Sequence, residues 1–340
     1  MRPFDWRTRG RRVGLGGFVA VLALVAGAIS CTPRPVNDER PLVRIGFTRY
    51  LTMGPMFIAQ AEGYFDELGI NVELIPIRSS AVSIPALSQG RLDVLPGPMS
   101  PSLFNAIHRG APIRLVSDKG SYTLDSCSHK AFVVSNDIAS QGAKTLPKRS
   151  SFGREPFSEF GVERALARFG FTMDDVEASH IPMSARYDAV RTGRIDGAIL
   201  NEPFTSRFRL EGGEIWIELN DLLRDHQYSV FAFGPRLLSE DPGLGEKVAV
   251  ALLRGVRRFN EGATPNNVAV MADALGWEAE MLARACWPPM RHDGLINDQS
   301  IEEFQTWALE HGSLDAVIPV EDYWDPRFIE HARRVLDAKP

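Results

Sequence analysis

Three short stretches of this 340-residue chain carry side chains suited to holding a small molecule. In residues 48–54, Arg49, Tyr50 and Thr52 stand close together. A guanidinium meets a sulfonate or carboxylate with paired hydrogen bonds, and an aromatic ring covers a flat ligand. A solvated surface side chain is an equal reading for Arg49. In residues 146–157, Ser150, Ser151, Gly153 and Arg154 precede a helical run, with Lys148 and Arg149 before them. Hydroxyls and backbone N–H groups at a helix N-terminus can hold an anion, and the same serines can equally act as plain caps. Glu202 closes an apolar run and is fixed by Pro203 beside Phe204. A carboxylate so placed suits a ligand amine or ring N–H, a helix N-terminus, or a latch between lobes. Chemistry that needs a metal is unsupported, because the three cysteines and seven histidines show no spaced ligand set. No nucleophile–base pair is evident, and no cofactor is expected.

The elements that must carry these residues are legible from pattern. Residues 42–47 alternate and are β-rich. A loop follows, then Pro55 suits the first turn of a helix that Gly63 stops. A second strand at 72–77 completes a β-α-β unit, whose first loop lies where open α/β sheets bind ligands. The pattern repeats: helix 83–89, strand 92–95, helix 101–108, strand 113–116. Three loops, 48–54, 96–100 and 117–122, then meet at one sheet edge as a binding rim.

Further on, residues 131–135 read as a strand, 158–168 and 184–191 as helices, 195–200 as a strand and 227–234 as a returning strand. Arg191-Thr-Gly-Arg-Ile-Asp parallels Ser88-Gln-Gly-Arg-Leu-Asp, each a helix end, a Gly, then Arg-apolar-Asp entering a strand. Two lobes built alike are expected, with Asp93 and Asp196 structural. Residues 241–260 place Val248, Leu252, Val256 and Phe259 at helical spacing. The C-terminal section, with Trp277, Trp287, Trp307 and Trp324, reads as packed helical scaffold.

The run G-P-M-F-I-A-Q-A-E-G-Y-F from Gly54, then L-G-I-N-V-E-L from Leu68 and P-A-L-S-Q-G-R-L-D-V from Pro85, resembles one family. It is the periplasmic substrate-binding proteins of nitrate, sulfonate, taurine and thiamine-precursor ABC transporters. The resemblance continues from Asn105 to Ile113 and from Gly193 to Phe204, covering residues 42–336. It implies an α/β, bilobal periplasmic-binding-protein fold (type II): two mixed-sheet lobes joined by a two-crossover hinge. Lobe 1 would take residues 42–130 and 229–340, and lobe 2 residues 131–228. The implied activity is hinge closure around a small-molecule ligand, with the hinge near 121–131 and 227–233. ABC permease and ATPase subunits are the implied partners, and the chain is expected to be a monomer and not an enzyme. Arg49, Tyr50, Thr52, Met99, Ser100 and Tyr122 would form the first wall, and Ser151, Arg154 and Glu202 the second. Aromatics suit a ring such as a pyrimidine or flavin, arginines a sulfonate; a small organic molecule is expected.

Residues 1–30 carry five arginines and then an apolar run, ending in small residues before Cys31. That is signal-peptide anatomy, with Cys31 resembling the lipidated first residue of a lipoprotein. Residues 31–41 then read as a tether. Removing the basic leader makes the remainder more acidic than the whole chain's net charge of −5. No basic stripe for nucleic acid is present. Cys127 and Cys286 could pair in an oxidising compartment or stay as buried free thiols, the preferred reading, since sequence distance does not report spatial distance.

Overall fold

Two five-stranded mixed sheets of the same design organise the chain. The computed structural model describes residues 39–123, 126–142, 144–153 and 156–338; Cys31, Arg154 and most of the expected leader and tether lie outside them. The first sheet contains β1 (Leu42–Phe47), β2 (Asn71–Pro76), β3 (Val94–Pro98) and β4 (Arg114–Ser121). The second contains β5 (Lys130–Val134), β6 (Arg149–Ser151), β7 (Glu177–Ser179), β8 (Gly197–Asn201) and β9 (Glu214–Glu218). Last comes β10 (Gln227–Phe233), which returns to the first sheet in the order β2-β1-β3-β10-β4. The second sheet runs β7-β6-β8-β5-β9.

In each sheet three strands run parallel, and the strand arriving from the other sheet inserts antiparallel beside the third. The chain therefore crosses between sheets twice, from β4 to β5 and from β9 to β10. The crossovers are tied side by side: Tyr122 N–H donates to His226 O at 2.9 Å, and Asp225 N–H to Tyr122 O at 2.7 Å.

The repeated Gly-Arg-apolar-Asp motif has one structural job in both sheets. Gly90 and Gly193 take φ of +68° and +70°, a left-handed conformation that ends a helix and that glycine adopts without a Cβ penalty. Asp93 then accepts the N–H of Arg44 on β1 at 2.8 Å, and Asp196 that of Arg149 on β6 at 2.8 Å. Each aspartate pins the first strand of its sheet to the third.

Three stretches expected as loops are strand instead. β3 continues through Pro96-Gly97-Pro98. Met99 N–H donates to Tyr228 O at 3.0 Å, so alternate N–H groups face β10. The two prolines therefore face the β1 side, where pairing reaches only Val94, and their missing donors cost no ladder bond. β4 continues through Ser117-Asp118-Lys119-Gly120-Ser121, all buried; the charged Asp118 and Lys119 find partners inside the protein. Ser150 and Ser151 lie in β6, where their hydroxyls donate to Pro147 O (2.6 Å) and Ser179 O (3.0 Å).

One apolar cluster packs the first sheet against the helices Gly54–Ala61 and Pro242–Phe259. A second cluster runs through both sheets' layers. It joins Phe157 and Phe160, on the helix Pro156–Arg168 that covers the second sheet, to Phe304 and Trp307 on the helix Asp298–Glu310 beside the first. Ring centroids there stand 5.3–5.7 Å apart. Trp287 packs on Phe259 and Trp277 on Phe204, so these indoles act in packing.

Of the two readings open for Cys127 and Cys286, pairing holds and the preferred free thiols do not. Cys127, in the first crossover, and Cys286, just past the helix Ala279–Arg284, form a disulfide with Cα atoms 5.8 Å apart across a sequence separation of 159. Folding brings the crossover against this C-terminal segment, a proximity that chain distance does not encode.

Candidate functional site

The parallel strands of both sheets end at the same place, and a two-chambered cleft opens there. Beyond β1 come Tyr50 and Thr52, at the end of β3 Pro98, past β6 Phe152, past β7 His180, and at the end of β8 Asn201. Carboxyl ends of strands are where open α/β sheets present loops to ligands. The outer chamber has a volume of about 310 Å³ and is lined chiefly from the second sheet, including Phe152, His180, Ile181, Met183 and Arg186. The inner chamber is about 50 Å³ and lies against the crossovers, between Thr52, Lys119, His129, Tyr228 and Ser229. Tyr50 and Asn201 border both chambers.

Lys119 is a buried charge of this cleft whose hydrogen-bond partners are both hydroxyls. It is 2% exposed, and its ammonium donates to Ser229 Oγ at 3.1 Å and Thr52 Oγ1 at 3.4 Å. Among the described residues no carboxylate lies within ion-pairing distance of it. Its chain neighbour Asp118 points to the other side of β4, where it accepts from Gly120 N–H (2.9 Å), Arg291 N–H (2.8 Å) and the Gln227 amide. Burial lowers the Lys119 pKa to about 7, against the opposing pull of Asp118.

His129 stacks on Tyr228 with centroids 5.1 Å apart, and Tyr228 packs on Tyr122 at 4.8 Å. Burial first, then Lys130 and Lys119, hold His129 well below its ordinary pKa, so it is a neutral imidazole at pH 7. His129 Nδ1 and the hydroxyls of Tyr122, Tyr228 and Ser121 are buried without a hydrogen-bond partner among the described residues. Gly120 makes this stacking fit, because a Cβ there would stand 2.3 Å from the Tyr228 ring. Two further cations border the cleft. Lys130 donates to Ser158 Oγ at 3.1 Å, and Arg186 holds Ile199 O (2.8 Å) and Ile181 O (3.0 Å).

Of the residues singled out from sequence, Tyr50 and Thr52 line these chambers. Met99 is fully buried in the second apolar cluster and Tyr122 packs behind Tyr228. Ser100 precedes the helix Pro101–His108 and contacts Ser102 at 3.1 Å. Ser151 is spent on Ser179 O. Arg49 turns away to Leu275 O, at 3.4 Å. Glu202 accepts from Cys286 N–H at 3.2 Å, linking the end of β8 to the chain beside the disulfide, and borders neither chamber. Arg154 lies outside the described residues. Lys119, His129, Lys130, Arg186, Asn201 and Ser229 were not singled out. Lys119 sat in a stretch read as loop and His129 in the expected hinge, and neither carried a local sign of burial beside the cleft.

Among the described residues no cluster of metal-ligating side chains occurs. What the cleft offers is a buried ammonium, a neutral imidazole, hydroxyls and aromatic faces.

A search of curated proteins finds no match. Among solved structures, the chain is similar to the periplasmic nitrate-binding protein NrtA from Synechocystis, with 14% identity, a TM-score of 0.69 and coverage of 88% of this chain and 90% of that one. It is similar to the periplasmic aliphatic sulphonate binding protein SsuA from Escherichia coli, with 15% identity, a TM-score of 0.68 and coverage of 84% and 92%. The desulfurization enzyme DSZB also matches, at 14% identity and a TM-score of 0.62, covering 87% and 100%. These likenesses establish the fold, the bilobal α/β architecture of periplasmic binding proteins. The model of the NMT1-like family matches residues 37–276; the chain is therefore a member of the NMT1-like family.

Proposed function

We propose that this chain is the exported, lipid-tethered solute receptor of an ABC importer, capturing a small organic molecule by closing its two lobes. The observation that carries this reading is a cleft walled by strand ends of both sheets beside two hydrogen-bonded crossovers. A ligand touching both walls favours the closed arrangement by its differential contacts. Lobe 1 comprises residues 42–130 and 229–340, and lobe 2 residues 131–228. The disulfide supports an oxidising compartment outside the cytosol. The leader pattern and Cys31 support export and a lipid anchor. Permease and ATPase subunits are the partners of this reading, and the nitrate and sulphonate binding roles of the structural neighbours support it. The binding roles of the nitrate and sulphonate neighbours favour binding over catalysis, while DSZB brings an enzyme onto the same fold.

The test is thermal melting of the full-length chain in detergent against sulfonates, carboxylates, nitrate, pyrimidines, flavins and amino acids. A ligand at about a hundred times its Kd adds roughly 2.7 kcal/mol and raises the midpoint by several degrees. A folded chain, free of carried-over ligand, that responds to none of these sinks the receptor reading.

A further inference from the structure

The receptor reading leaves the solute class open, and the two chambers differ enough to assign it. Resting on that reading, we propose that the solute is a ring-bearing organic anion. Its sulfonate or carboxylate head sits in the inner chamber on Lys119, and its ring lies in the outer chamber against Tyr50 and Phe152.

Charge comes first. A buried ammonium with only hydroxyl partners is costly, because two neutral oxygens do not replace its hydration. Asp118 is turned to the far face of β4 and fully engaged there. Ser229 donates its own proton to Gly97 O at 2.8 Å, so its oxygen faces Lys119 as an acceptor and fixes the ammonium in place. Lys119 has three N–H donors and two protein acceptors, which leaves one donor for a ligand. An anionic head on that donor would supply the missing countercharge. With a neutral head the amine would instead shed that cost by losing its proton, and a cationic head would add to it.

Size comes second. The inner chamber, about 50 Å³, holds a few atoms and no ring. The outer chamber, about 310 Å³, holds a mono- or bicyclic body. Its wall is aromatic and apolar where Phe152 meets His180 edge to face at 5.3 Å, with Ile181 and Met183 beside them. A bare inorganic ion would leave that wall without contacts. Head inward and ring outward is the arrangement in which each chamber meets matching chemistry.

The experiment is calorimetric titration of the full-length chain with benzenesulfonate, methanesulfonate and benzyl alcohol, on wild type, Lys119→Met and Phe152→Ala. Benzenesulfonate is expected to bind most tightly, and Lys119→Met to weaken it about 100-fold. Phe152→Ala is expected to weaken benzenesulfonate about tenfold and leave methanesulfonate unchanged. Because Lys119→Met alters a buried residue, amidination of Lys119 by methyl acetimidate in wild type gives a second readout by mass spectrometry. Bound benzenesulfonate should protect Lys119. Benzenesulfonate binding that survives Lys119→Met without protection of Lys119 overturns the assigned head site. Binding of benzyl alcohol with no binding of either sulfonate overturns the anion class. In both cases a melting response to some panel compound keeps the receptor reading standing, so the two failures are separable.

Discussion

Glu202 carries a carboxyl that is 2% exposed and hydrogen-bonded across to the backbone of Cys286. Burial raises its pKa from 4.5 to about 7, opposed by Ser206, Cys286 and Arg209. The sign follows from linkage: the folded state holds this proton between those values and the unfolded chain releases it. The stabilisation is full below about pH 4.5 and is lost as pH rises through about 7. Glu202→Gln removes the titration. Urea unfolding at pH 5 and pH 8 should therefore show the variant gaining on wild type by up to about 3 kcal/mol at the higher pH. Parallel behaviour at the two pH values would remove Glu202 from the pH response. The sequence marked this residue as a strand-end carboxylate with three possible jobs. Its partner, an N–H 84 residues away in sequence, is set by packing.

At the scale of elements, the disulfide fastens the first crossover to the segment after the helix Ala279–Arg284. Closing so long a loop restricts the unfolded chain strongly, so replacing both cysteines by serine should cost about 2–5 kcal/mol in denaturant unfolding. An unchanged midpoint would mean that the segment is held by Glu202 and Ser206 alone, both of which bond Cys286 N–H. Legibility differed sharply between elements. β1 was read to its end residues, and the helix Pro242–Phe259 closely, because apolar period and proline position are local signals. The far ends of β3 and β4 were not. Proline and charged residues argue against strand unless their neighbours are known, and here β10 supplies the pairing and buried partners hold Asp118 and Lys119.

For the whole molecule, the second apolar cluster decides how the lobes behave together. Phe160 and Phe157 on one side meet Phe304 and Trp307 on the other, and Arg164 on the same helix pairs with Glu303 at 2.5 Å. Burying this shared surface couples the two layers, so heating should unfold residues 40–338 in one cooperative transition. Differential scanning calorimetry checks it: two resolved transitions would show that the lobes melt separately despite the shared core.

The sequence by itself determined the repeated sheet design, the helix stops at Gly90 and Gly193, and the structural aspartates at 93 and 196. The first two rest on backbone angles and periodicity specified within a few residues; the aspartates were marked by the repeated motif, though the N–H groups they accept lie 49 and 47 residues away. Only the tertiary structure decided that Lys119 lies buried at the cleft and that Arg49 turns away from it. The same holds for the pairing of Cys127 with Cys286 and for the placing of Met99 in the core. A side chain's burial and partners depend on strands brought together across a hundred residues or more, as Lys119 and Ser229 are, and local pattern carries no record of that approach.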